Sequence, residues 1–195
     1  MEKEYVEKQE KNFWKFIKSA SKEAETAKEH VEELIALLSD RSEDELVAFE
    51  VNLRTQLKAL NHPQILELGV ILDSKFEKVG GRVKFAKKMN VNGFLYFRCW
   101  LVLQGKEVCE IALKDPEKIA DCDVDIAKVR AEGLLQAAQQ AFTSDDEDET
   151  ILKAAHKFNK KLSYDNEEVL PDEGVDYDNL DLKYPVLTKT VVELD

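Results

Sequence analysis

Apolar positions along this chain recur mostly at three- and four-residue intervals, which is the period of one face of a helix. Phe13, Trp14, Phe16, Ile17 and Ala20 predict a first helix over about Lys8 to Ala20. Ala27, Val31, Leu34, Ile35 and Leu38 form a second stripe that ends near Ser39-Asp40, with His30 read on the solvated face beside Glu29, Glu32 and Glu33. Ser42 to Glu45 has the spacing of a capping box, in which the serine oxygen accepts from the amide of the fourth residue and the glutamate reaches back. Leu46, Phe49, Leu53, Leu57 and Leu60 then continue one face. Pro63 suits the first turn of a fourth helix, and the residue before a proline resists helix. That helix, to about Phe76, is apolar on more than one face and is expected inside.

The run Phe94–Leu103 is almost wholly apolar, with Asn92 as the expected N-cap and Gly105 where a C′ glycine belongs. A helix apolar all round is buried. Lys106 to Lys114 predicts a sixth helix, stopped by Asp115-Pro116; Asp125 to Phe142 a seventh, with Gly133 marking a close crossing; and Glu147 to Leu162 an eighth. From Ser163 the periodicity stops. Tyr184-Pro185-Val186-Leu187 and Val191-Val192 restore apolar character near the end. The expected fold is therefore all-α, a bundle of about seven to eight helices with a central buried helix over residues 1–162. An irregular acidic strap over residues 163–195 is expected to dock back on the same domain.

Charge refines this picture. The formal net charge is −12. Ser144–Glu149 carries five acids and Ser163–Asp181 eight, with no base in either, so the rest of the chain is close to neutral. Lys75–Lys88 is instead basic and is broken by Gly80-Gly81. It reads as a basic loop with a short element on either side, either a binding site or the place where the strap docks. The acidic balance disfavours nucleic acid and anionic membranes as partners. No apolar run approaches the ~18 residues of a membrane span. The charged N-terminal stretch lacks the apolar core of a signal peptide, so a cytoplasmic location is expected.

Candidate chemistry is sparse. Cys99, Cys109 and Cys122 are odd in number and widely spaced, which suits reduced thiols. His30, His62 and His156 have no metal-ligand spacing, and Asp145–Glu149 lacks the glycine and spacing of a calcium loop. Phosphate-cradling and nucleophile-elbow motifs are absent, so no cofactor, metal or catalytic residue is expected. Arg98 stands out as the one charge in Phe94–Leu103. A guanidinium does not shed its proton, so a buried one needs partners. It is either a structural anchor, with Glu50 as partner, or it faces a pocket with Tyr96 and Trp100 and holds an anionic group.

With those residues in view, the chain resembles an uncharacterised family, the domain of unknown function 4240. The resemblance is densest at Gly93-Phe94-x-x-Phe97-Arg98-x-Trp100-Leu101-x-x-Gln104-Gly105, followed by Ala112 and Asp115-Pro116. Phe13-Trp14 with Ile17 is similar to its start, Glu45 to Glu50 to its third-helix signature, and Tyr184-Pro185-x-Leu187 to its closing segment. The chain departs from the pattern at Met89–Asn92, which lacks two aspartates, and at Lys75–Lys88, which looks inserted. The resemblance implies a mainly helical bacterial protein and no particular activity.

Two functional readings follow. The first is a non-enzymatic protein-interaction module, immunity- or inhibitor-like, that meets a basic protein through Asp165, Glu167, Glu168, Asp172, Glu173 and Asp176. The second is a ligand-binding domain or enzyme with an anion-holding pocket near Arg98. Direct nucleic-acid contact through Lys75–Lys88 is a weaker third.

Overall fold

A computed structural model describes residues 2–85, 88–125, 129–142, 150–158 and 170–194, with side chains from residue 8 onward. In chain order the elements are α1 (Glu2–Ala20), α2 (Ala27–Ser39), α3 (Glu43–Ala59), α4 (Pro63–Asp73), β1 (Phe76–Val79), β2 (Arg82–Phe85), α5 (Val91–Leu103) and α6 (Lys106–Lys114). Two 3-10 helices (Pro116–Asp121 and Glu132–Gln136) follow, then α7 (Ala137–Ala141), α8 (Ile151–Phe158), α9 (Leu180–Lys183) and α10 (Pro185–Leu194). The fold is mainly helical, as the periodicity predicts. The chain divides into two compact units: Met1–Lys58 with Ala131–Glu168, and Ala59–Arg130 with Val169–Asp195.

In the first unit, α1 and α2 pack against each other and α2 packs on α7. The capping box at Ser42 is present: Ser42 Oγ accepts the Glu45 amide at 3.4 Å, and the Glu45 carboxylate accepts the Ser42 amide at 3.1 Å. Phe13 and Phe49 meet at 5.0 Å between ring centres, joining α1 to α3. His30 is not on a solvated face. It is buried, and its Nε2 donates to the Ile17 carbonyl at 2.8 Å. The last carbonyls of a helix have no partner in their own helix, and α1 ends three residues after Ile17, so the imidazole fills that need.

The expected helix over Asp125–Phe142 is shorter than its pattern suggests. Val129 and Ala131 are buried on either side of exposed Arg130, an alternation of extended chain, and among the residues described from 129 onward helix begins at Glu132 in 3-10 form. Gly133 weakens helix by about 1 kcal/mol relative to alanine. It also sits at the expected close crossing, where an added Cβ would lie 3.3 Å from Val31 Cγ1. Expected helix at 126–128, 147–149 and 159–162 lies outside the described residues.

In the second unit, α4 and α5 form the interior. Ile65 to Leu72 is buried throughout, as is α5 from Gly93 to Leu103 apart from Tyr96. A Cβ at Gly69 would stand 2.9 Å from the Phe97 ring, so this glycine is what lets the two helices approach. The N-cap of α5 is Asn90, not Asn92: its Oδ1 accepts the Gly93 amide at 2.7 Å. Cys99 and Cys109 are buried, and burial pushes the Cys109 thiol up to about 12, well away from a reactive thiolate. No described helix is long and apolar enough to cross a membrane.

A pinned acidic segment as candidate partner-binding site

The short elements expected on either side of Gly80-Gly81 are two strands, paired as a β-hairpin. Phe76 pairs with Phe85 and Val79 with Arg82. Gly80 and Gly81 take φ of 59° and 78°, the left-handed conformation that a two-residue type I′ turn requires and that glycine adopts without strain. The pairing fixes Arg82 at the start of β2, where it meets the C-terminal segment.

Arg82 grips Asp181 with two parallel bonds, Nε to Oδ2 at 2.6 Å and Nη2 to Oδ1 at 2.5 Å. The Val83 amide adds a third donor to Asp181 Oδ2 at 3.1 Å, and Arg82 Nη2 also reaches the Asp178 carbonyl and Asn179 Oδ1, both at 3.3 Å. This forked geometry is the strong form of a carboxylate–guanidinium contact. The Arg82 bond, helped by the Val83 amide, holds the Asp181 carboxyl down to about 2. Lys88 Nζ lies 4.7 Å over the Tyr177 ring. Arg82, Val83 and Lys88 of the basic stretch thus all contact residues of the C-terminal segment.

Two further pins follow. Glu67 is an acid inside the apolar run of α4, with its side chain 2% exposed. Lys183 Nζ donates to both of its oxygens at 2.7 Å, and the Tyr184 hydroxyl donates to Oε2. Burial, with that bond to Glu67, pushes the Tyr184 phenol above its ordinary range, so it stays a donor. Glu117 Oε2 accepts the Val186 and Leu187 amides at 3.1 Å each. Because Pro185 has no N–H, these are the first donors of α10, and a carboxylate there also suits the helix dipole. Leu180, Tyr184 and Leu187 turn inward. The expected strap is thus irregular over residues 170–179 and helical from Leu180 onward.

Further acids of the segment lie outside these pins. Asp172, Glu173, Asp176 and Asp178 are all exposed. Asp176 folds its own turn, accepting from the Asp178 amide at 3.2 Å and from Asn179 Nδ2 at 2.7 Å. Leu182, Val186 and Leu194 are 61%, 54% and 68% exposed. Of the acids singled out from sequence, Asp172, Glu173 and Asp176 therefore lie together on this segment, whereas Asp165, Glu167 and Glu168 lie outside the described residues. Sequence reasoning missed Glu67, Glu117, Lys183 and Tyr184. Glu67 carries the signal that singled out Arg98, a lone charge in an apolar helix.

The residues proposed around Arg98 are arranged differently. Arg98 and Trp100 are each 1% exposed. The Arg98 guanidinium lies 4.6 Å from the centre of the Phe94 ring, while Trp100 stacks on Phe97 at 5.6 Å. At 3.6 residues per turn, Tyr96 and Trp100 leave the helix about 160–200° around from Arg98, so the three share no face. Glu50 is buried, and its Oε1 accepts Arg54 Nε at 2.6 Å, one turn along α3. Burial raises the Glu50 carboxyl and the Arg54 charge opposes that shift. Among the described residues, no three His, Cys, Asp or Glu side chains converge as a metal site.

No curated protein and no solved structure matches the chain. A family model does, over residues 9–144, which runs from within α1 to beyond α7 and stops before the C-terminal segment. A match over that share of the 195 residues is decisive, and the protein belongs to the family described as protein of unknown function (DUF4240).

Proposed function

We propose that this chain is a non-enzymatic protein-interaction module that meets a basic partner protein through its acidic C-terminal segment. One observation carries the reading. Asp181, Glu67 and Glu117 hold the segment in place, while Asp172, Glu173, Asp176 and Asp178 remain exposed within seven residues. Carboxylates held in this way steer a cationic surface and set its orientation. The alternative of an anion pocket at Arg98 draws no support from a guanidinium buried over Phe94 with Tyr96 and Trp100 on the far side of the helix.

The test is affinity capture with the full chain and with a variant carrying D172N, E173Q, D176N and D178N. Deleting the segment would be a poor control, because Leu180, Tyr184 and Leu187 are part of the core. The native chain should retain basic proteins that elute with salt, and the neutralised chain should lose them. Recovery of the same proteins by both would overturn the reading.

A further inference from the structure

In the first unit, α1 and α3 leave a small cleft between them. Gln9, Asn12, Phe13 and Phe16 follow one another at steps of three, one and three on α1, and Glu45 and Phe49 stand four apart on α3, so each set shares a helix face. Together the two sets line the cleft. Phe13 and Phe49 are buried and form its floor, with ring centres 5.0 Å apart, and Phe16 stands 6.5 Å from Phe49. Gln9, Asn12 and Phe16 are half-buried and Glu45 is exposed, so the polar groups form the rim. The Gln9 and Asn12 amides bond to no other described group. Glu45 spends Oε2 on the Ser42 amide and hydroxyl, which leaves the lone pairs of Oε1.

Size, charge and donor count each narrow the ligand. The interior leaves about 10 Å³ for the centre of a water-sized group, room for one such group. An ammonium meets that limit, whereas a planar guanidinium, with four heavy atoms, does not. The one charged group lining the cleft is a carboxylate, and Glu43 and Asp44 stand beside it in the first turn of α3, which favours a cation. Arg41 opposes this with one positive charge, but it is not part of the lining, and its guanidinium 5.3 Å from the centre of the Phe16 ring shows that this ring accepts a cation. An ammonium has three donors and no acceptor, which matches the acceptors of Gln9, Asn12 and Glu45. We infer that this cleft binds a primary ammonium on an alkyl stem, the end of a lysine side chain or of a small free amine. Its N–H groups donate to Gln9 Oε1, Asn12 Oδ1 and the Glu45 carboxylate, and its charge lies against the phenylalanine rings. The site does not depend on the interaction reading above.

The probe is Nα-acetyl-lysine methylamide, titrated into the full chain and followed by the side-chain amide resonances of Gln9 and Asn12. The norleucine analogue keeps the stem and removes the ammonium, the arginine analogue replaces it by a guanidinium, and butylammonium removes the peptide groups. The expected result is saturable shifts of both amides with the lysine probe, none with norleucine and weaker binding of arginine. Glu45→Gln keeps the capping box, in which glutamine serves as well as glutamate, and should weaken the lysine probe at least about fivefold. Phe16→Leu keeps the apolar volume without the ring and should weaken it about two- to fivefold. A lysine probe that binds more tightly than butylammonium makes the ligand a lysine side chain, and the reverse order makes it a free amine; both support the ammonium site. Equal binding of the lysine and norleucine probes, tighter binding of arginine, or a Glu45→Gln chain that binds as the native chain does would each overturn it.

Discussion

Tyr184→Phe isolates the bond between a buried phenol and a buried carboxylate. The Glu67 side chain is 2% exposed and its oxygens accept from Lys183 and Tyr184. Removing the hydroxyl leaves Oε2 with one donor fewer and little water to replace it. A hydrogen bond to a charged group contributes about 1.5–3 kcal/mol, and the loss is expected near the middle of that range. Lys183 is 53% exposed, so its bond to Glu67 is partly screened and compensates little. Glu67→Gln should cost a similar amount, and the double variant less than the sum of the two, with a coupling of about 1 kcal/mol or more. The assay is urea unfolding followed by tryptophan fluorescence in a Trp14→Phe background. Trp100, on α5 of the same compact unit, is then the one reporter. With a urea slope of about 2 kcal/mol/M, Tyr184→Phe should move the midpoint down by about 1 M. A shift under about 0.2 M, or additive single and double variants, would refute the idea that this carboxylate pins the C-terminal segment.

Two other expectations follow from the titrating groups. Asp181 lies at about 2 in the folded chain against an ordinary 3.8, so its contribution is complete above the ordinary value and disappears as pH falls toward 2. Arg82→Gln should flatten the stability–pH curve in that window while leaving its shape near neutrality alone, as measured by thermal melts from pH 2 to 5. Burial lowers His30 below its usual 6.5, against the opposing pull of the Ile17 carbonyl. The folded state therefore binds a proton less readily than the unfolded one, and His30 favours folding above pH 6.5 and progressively less below it. His30→Gln should remove that slope and cost about 1 kcal/mol at pH 8, where the bond to Ile17 is lost without a change in charge; equal pH slopes in both proteins would count against it.

Most of the helical skeleton was legible because burial and period coincide. Leu46, Phe49, Leu53 and Leu57 are spaced as one face and are buried as one. The run Phe94–Leu103 is buried as its composition requires. Legibility failed where a backbone need or a distant partner decided the outcome. His30 lies between glutamates in sequence, yet an unpaired carbonyl at the end of α1 draws it inward. The hairpin could be seen only as two short pieces around Gly80-Gly81, because a two-stranded ribbon has too few apolar positions to announce itself. Glu117 caps a helix 69 residues away, and Lys183 meets Glu67 over a separation of 116, contacts that no local pattern encodes.

The acids of the C-terminal segment are accordingly of two kinds that composition treats as one. Asp181 sits under a forked arginine and a backbone amide and belongs to the fold. Asp172, Glu173, Asp176 and Asp178 share its sequence character but keep their faces to water. A solvated acidic run ordinarily behaves as a disordered chain, and ordering it on a partner costs several kcal/mol of the interaction. Here much of that ordering is supplied beforehand by Arg82, Lys183, Tyr184 and Glu117. Preorganisation lowers the cost of binding without adding a contact. The pins are therefore relevant to recognition even though none of them is proposed to touch the partner, and weakening Arg82 or Tyr184 should reduce affinity in proportion to how far the four outer carboxylates lose their fixed positions.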